Sequence, residues 1–259
     1  MQFASHGQPL TSDGFRAATD ELSVDATALW TVLAVETSGF GFFADRRPRI
    51  LFERHYFHRL TNGRFDQSHP HISAPPPNGG YVGGPGEYAR LEEAIALDES
   101  AALQSASWGV GQVMGENFRA AGFPDVGAMV AAAVNDENGQ LLTAARFITS
   151  MRLGNALRGR DWATFAKGYN GPKFQENQYD TKLAAAFAAL SSSLPDLELR
   201  TAQAALLYLG LHPGTIDGRM GPATRTALQR FQTSRQMPVT GALNAETFAA
   251  LTLAAFPAV

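Results

Sequence analysis

The sequence predicts a mainly α-helical protein with a small β-hairpin region, followed by a three-helix bundle. Apolar residues recur at helical spacing through most of residues 1–190. One aromatic and branched run, "RPRILFERHYFHRL", is equally suited to a strand or hairpin and to a helix. The serine-rich stretch "AALSSSLPDLE", Ala188 to Glu198, then breaks the chain ahead of three more short periodic runs. The expected layout is a large domain over 1–190, a linker over 191–198 and a small domain over 199–259.

In chain order, "SVDATALWTVLAVE" reads as a helix with Ser23 as N-cap and Asp25 in its first turn. "SHPHISAPPPNGGYVGGPGEY" holds too much Pro and Gly for regular structure and reads as a long loop, spanning about 68–88, that could gate a cleft. "EYARLEEAIAL" is an amphipathic helix. "DVGAMVAAAVNDENGQLLTAARFITSM" reads as two helices joined near Asn135. "DWATFAKGYNG" starts on Asp161 as N-cap and stops at a Gly, and "YDTKLAAAFAAL" is Ala-rich and helical. The small domain contributes "LRTAQAALLYLG", "GPATRTALQRFQTSR" with Pro222 early in its helix, and "NAETFAALTL". A faint internal echo relates "GTIDGRMGPATRTALQRF" to "MPVTGALNAETFAALTL": a Gly turn, a Thr, then an apolar helix.

Composition narrows the function. Of 259 residues, 45% are hydrophobic, enough for sizeable cores. A net charge of −3 argues against a general nucleic-acid binder, and no apolar run reaches membrane-spanning length. The N-terminus lacks the basic and apolar regions of a secretory signal. The absence of cysteine rules out disulfides and thiolate chemistry. Residues 197–259 carry five Arg and no Lys against Glu198, Asp217 and Glu246, so the small domain is mildly basic and the large one acidic.

The chemistry centres on "LWTVLAVETSGFG". Leu29, Val32, Leu33 and Glu36 share one helix face. A carboxyl on a core-facing stripe is desolvated and its pKa rises, which suits a general acid. Gly39 and Gly41 then let the chain turn away. The alternative is a Glu at a frayed helix end, pointing into water. Two further fragments stand out. "SASWGVGQVMGENF" places Gln112, a neutral donor and acceptor, between glycines that permit close approach, and "KGYNGP" closes a helix on Tyr169 and Asn170. Taken singly, each is also a plain helix junction.

Together, in this order, these fragments resemble the lysozyme-like superfamily, which includes the soluble lytic transglycosylases. "VLAVETSGFGFFADRRPRILFERHYFHRLT", "SWGVGQVMGENFRAAGF" and "DWATFAKGYNGPKFQENQYDTKLAAAF" are similar to the N-acetylmuramidase domain of phage endolysins, over about residues 13–190. The resemblance implies a lysozyme-like fold, cleavage of the β-1,4 bond between N-acetylmuramic acid and N-acetylglucosamine, and Glu36 as the catalytic glutamate. "IDGRMGPATRTALQRFQ" and "VTGALNAETFAAL" resemble the three-helix peptidoglycan-binding domain. It implies stem-peptide or glycan binding, with Asp217, Arg219 and Thr224 as candidate lining residues.

Glycoside cleavage needs a proton donor and a group that handles the oxocarbenium-like carbon. Glu36 is the expected donor, with Gln112, Tyr169 and Asn170 as substrate contacts. Glu53 is the first candidate for a second carboxylate, against an ion pair with a nearby Arg; Asp45 is second, and reads first as a turn residue. If neither serves, the sugar N-acetyl group or a water held by Tyr169 and Gln112 takes the role, or the sugar's 6-hydroxyl closes an anhydro ring as in the transglycosylases. His55, His58, His69 and His71 lack any metal-ligand pattern, and the Gly-rich loop lacks a phosphate-loop signature. The expectation is therefore a monomer needing no metal or cofactor. It would act on bacterial peptidoglycan after accumulating in the host cytosol and passing to the wall through a holin. The competing expectation is a wall-binding protein with an inactive lysozyme fold.

Overall fold

The computed structural model describes residues 2–36 and 39–256, and the Glu36 side chain also lies outside that description. Helix α1 (Ser12–Leu22), absent from the sequence-based expectation, begins at Thr11, whose hydroxyl accepts the Gly14 N–H. It buries Phe15, Ala18 and Leu22. Ser23 turns out to be the left-handed C-cap of α1 (φ 52°) and not the N-cap of the next helix. Asp25 caps helix α2 (Ala26–Glu36) instead, its carboxylate accepting the Ala28 N–H at 2.8 Å.

Helix α2 is no simple amphipathic element. Leu29, Trp30, Val32, Leu33 and also Thr31 are buried, because the helix runs through the interior and packs mainly on α10 (Tyr179–Leu190). Its apolar neighbours come from α1, α7 (Glu137–Ser150), α8 (Gly154–Gly159), α9 (Trp162–Asn170) and α10.

The ambiguous run "RPRILFERHYFHRL" is both things: strand β1 (Ile50–Phe52), then helix α3 (Arg54–Leu60), with Glu53 at the changeover. A three-stranded antiparallel sheet forms from β1, β2 (Ala106–Trp108) and β3 (Val113–Met114). Ile50 lies opposite Trp108, and Trp108 opposite Val113. This sheet, α3, α4 (Glu87–Leu97), α5 (Glu99–Gln104) and α6 (Val126–Asn135) enclose a second core around Phe52, Phe57, Tyr88 and Trp108. Helices α6 and α7 meet at Asp136, whose side chain accepts the Gly139 N–H and caps α7.

The long loop is short of regular structure but not of anchors. Glu87, fully buried, accepts the N–H groups of Val82 and Gly83 at 2.7 and 2.8 Å, and Arg90 donates to Glu87 and to the His71 carbonyl.

Helix α11 (Leu197–Tyr208) begins inside the stretch read as linker, capped by Asp196, and is followed by α12 (Pro222–Ser234) and α13 (Ala245–Ala255). The internal echo has a structural counterpart. The Gln203 side chain accepts the N–H groups of Asp217 and Gly218 and donates to the Arg219 carbonyl and the Thr224 hydroxyl. The Gln232 side chain accepts from Thr240 and Gly241 and donates to the Ala242 carbonyl and the Thr247 hydroxyl. Gly218 and Gly241 both take positive φ, 70° and 67°, which lets each loop wrap its buried amide. Each glutamine is a plug that satisfies a tight turn from inside, in keeping with the rule that buried polar groups are hydrogen-bonded.

The bundle is not a bead on a string. Phe40 and Phe42, just after α2, are fully buried in a cluster completed by Ala204, Ile216, Leu207, Tyr208 and Phe256 of the C-terminal part. The Tyr208 hydroxyl donates to the Gly7 carbonyl at 2.8 Å. Arg46 donates to the Ala255 carbonyl while its guanidinium lies 4.1 Å from the Tyr208 ring centre.

Candidate active site

Three separated fragments of the chain meet around the β2–β3 turn. The Arg49 N–H donates to the Gly41 carbonyl at 2.8 Å, which ties the segment after α2 to the start of β1. The Arg49 carbonyl accepts the Gly109 N–H and the Gln112 side-chain amide at 2.8 and 3.3 Å. The Gly111 carbonyl accepts the Tyr169 hydroxyl at 2.7 Å. One run of hydrogen bonds thus links the segment after Glu36, the Gln112 turn and the end of α9.

Gly109 and Gln112 both adopt positive φ in this turn, 67° and 48°. A side chain on Gly109 would collide with Gln140, whose amide oxygen accepts the Val110 N–H at 2.8 Å. Gln112 is held from all sides: its oxygen accepts the Ser107 hydroxyl at 2.8 Å and its nitrogen donates to the Gly109 carbonyl at 2.8 Å. The Gln112 amide, expected to contact substrate, also braces the turn. Tyr169 stacks on Phe165 and meets Phe147 edge-on, so its ring is fixed as well as its hydroxyl. Asn170 follows as the last residue of α9, before Gly171 at φ 86°.

Glu36 is the last residue of α2. The expected desolvation of its carboxyl falls outside the described residues. Glu53 lies at the opposite end of the β1–β2 pairing from Gln112, roughly 14 Å along the ladder at about 3.4 Å per residue. No arginine pairs with its carboxylate among the described residues. Glu53 instead accepts the Tyr81 hydroxyl at 2.8 Å and lies 3.2 Å from His55 Nδ1. Burial and this bond to a carboxylate push the Tyr81 hydroxyl up to about 12. Asp45 occupies a surface turn, where it accepts the Arg47 N–H and pairs with the Arg47 guanidinium. The histidines have carboxylate neighbours: His58 Nδ1 sits 2.7 Å from Asp66, and His71 Nε2 2.9 Å from Glu93.

In the C-terminal part, Thr224 is only 2% exposed and its hydroxyl donates to the Pro213 carbonyl, so it builds the turn and does not line a surface. Asp217 is half-buried on Gln203, and Arg219 is exposed with one guanidinium nitrogen on the Ser193 carbonyl at 2.6 Å.

The sequence reading missed Glu137, Gln140, Glu87 and Arg90. The Glu137 carboxylate is fully buried and accepts the Leu10 and Gly41 N–H groups at 2.8 Å each, along with two guanidinium bonds from Arg200 at 2.6 and 2.7 Å. Arg200 also donates to the Gly39 carbonyl. The available signal was the one used for Glu36, an acid at a core-facing helix position.

Comparison with known proteins identifies both domains. The N-acetylmuramidase family profile matches residues 25–191, and the peptidoglycan binding domain profile matches residues 196–251. Among solved structures, the chain is similar to the crystal structure of the Burkholderia AP3 phage endolysin, with 40% identity over 72% of each chain and a TM-score of 0.66. No curated protein matches the chain. The protein is a modular peptidoglycan hydrolase, belonging to the N-acetylmuramidase family and carrying a C-terminal peptidoglycan-binding domain.

Proposed function

We propose that the protein is an endolysin that cleaves the β-1,4 bond between N-acetylmuramic acid and N-acetylglucosamine, with Glu36 as general acid. The observation that carries this reading is the run of hydrogen bonds joining the segment after Glu36, the Gln112 turn and Tyr169. It supports a rigid frame next to the end of α2, and a preorganised frame is what general-acid catalysis requires of its surroundings. Tyr169 and Asn170 are the substrate contacts in this reading; Gln112 shapes the turn and reaches substrate only by exchanging one of its internal bonds. Glu53 is the second carboxylate, supported by its neighbours: a neutral hydroxyl and a histidine instead of an arginine. Asp217 and Arg219 mark the wall-binding face. The enzyme accumulates in the host cytosol and reaches the wall through a holin, as the similarity to a phage endolysin suggests.

The test is digestion of purified sacculi by full-length Glu36→Gln and Glu53→Gln proteins, read by mass spectrometry. Glu36→Gln is expected to abolish product release while sacculus binding is retained, since shape is kept and the proton is lost. Glu53→Gln is expected to lower turnover strongly without changing binding. Muramic acid at the reducing ends of the wild-type products supports hydrolysis. Anhydro ends would instead assign a transglycosylase, and full lysis by Glu36→Gln would remove Glu36 from the mechanism.

A further inference from the structure

Gly39, beyond the end of α2, is held by the C-terminal domain. Gly39, three positions after Glu36 in the chain, gives its carbonyl to Arg200 Nε at 3.1 Å and to a terminal guanidinium nitrogen at 2.6 Å. The same guanidinium reaches Glu137, which in turn accepts the Gly41 N–H. One arginine from α11 therefore fixes both sides of Phe40. Its ring is buried among Phe42, Tyr208, Ala204 and Ile216, three of them in the C-terminal domain. Gly39 itself sits at φ 88°, and a Cβ there would fall 2.4 Å from the Ile216 carbonyl, so the two domains meet backbone to backbone.

This contact is not enforced by dense packing alone. A cavity of about 300 Å³ lies beside it, bordered by Trp30, Leu33, Ala34, Leu190, Ile216 and Arg200. Without the guanidinium, the segment at Gly39 has space to shift and a fully buried carboxylate, Glu137, to shift away from. A planar fork with five donors suits this double duty; an ammonium on a flexible stem does not.

We infer that the wall-binding domain is part of the catalytic machinery, with Arg200 as a positioning residue that sets the backbone at Gly39 and Gly41, downstream of Glu36. This rests on the assignment of Glu36 as the general acid. The domain then does more than raise local concentration at the wall, and its effect persists on substrates that need no anchoring.

The test uses full-length Arg200→Lys and Arg200→Ala on soluble, peptide-free glycan strands, with turnover read from released reducing ends. Arg200→Lys keeps a positive charge against Glu137 and is expected to fold, as checked by its melting temperature, and to bind sacculi as wild type does. A displaced acid is expected to lower kcat roughly 10- to 100-fold with KM little changed. Arg200→Ala is expected to show the same loss or a larger one. A folded Arg200→Lys protein with kcat within about two-fold of wild type would overturn the inference. If Glu36→Gln is also inactive, only the inference falls. If Glu36→Gln is active on the same strands, the assignment of Glu36 falls first.

Discussion

Glu137 carries the same sequence signature as Glu36, an acid on a helix position that faces the core. Its environment gives it a structural task, with four hydrogen bonds and a buried arginine. Glu87 is a third case, fully buried and bound to two backbone N–H groups and Arg90. A misplaced acid is thus a sign of a special environment, and only the partners tell catalysis from architecture. Removing one member of a buried pair leaves the other uncompensated, at a cost of about 3–5 kcal/mol. Glu137→Gln is therefore expected to lower the unfolding free energy by an amount of that order in urea titration, because Arg200 keeps its charge in a buried site. A change no larger than that of a typical surface substitution would mean the pair contributes little. At this scale Tyr169 and Gln112 were legible in the sequence as special positions, while the roles they play inside the structure were not. One partner of the Gln112 amide, the Arg49 carbonyl, lies far away in the chain, and spacing does not carry that information.

Among the elements, the helices with strong end signals were legible. Asp161 caps α9, Pro222 opens α12, and the break between α6 and α7 falls at Asp136, beside the expected Asn135. Of the strands, β1 was legible within "RPRILFERHYFHRL", but β2 and β3 were not, since they span three and two residues, too few for an alternation to register. Helix α1 was overlooked even though Thr11, Phe15, Ala18 and Leu22 give it a cap and an apolar face. The long loop reads correctly as irregular, yet its anchoring by Glu87 makes it sensitive to acid. Burial pushes the Glu87 carboxyl up, but the Gly83 and Val82 N–H groups and Arg90 outweigh burial and leave it below the ordinary value of 4.5. A carboxyl whose folded pKa is depressed stabilises the fold above its unfolded pKa and ceases to do so as pH falls through the folded one. Hydrogen exchange at Val82 and Gly83 is expected to accelerate, after correction for intrinsic rates, once pH drops below about 4.5. Unchanged protection down to pH values near 2–3, where carboxylates protonate, would show that Glu87 does not hold the loop.

For the whole molecule, the serine-rich joint suggested two bodies, and the contacts describe a fused one. Phe40, Phe42 and Glu137 from one side and Arg200, Tyr208 and Ile216 from the other share a single buried interface. A calorimetric scan is expected to show one cooperative transition for the full chain; a separate early melting of the C-terminal bundle would contradict this coupling. Such an interface was invisible in the sequence, because nothing in "LELRTAQAALLY" distinguishes an arginine aimed at solvent from one aimed at a carboxylate across the joint. The Arg200 fork also bears on how such enzymes are recombined. In this protein a cut at Ser191–Ser193 would strip the catalytic half of the cation that neutralises Glu137 and of the wall around Phe40. A recombined version would have to carry over the inward face of α11.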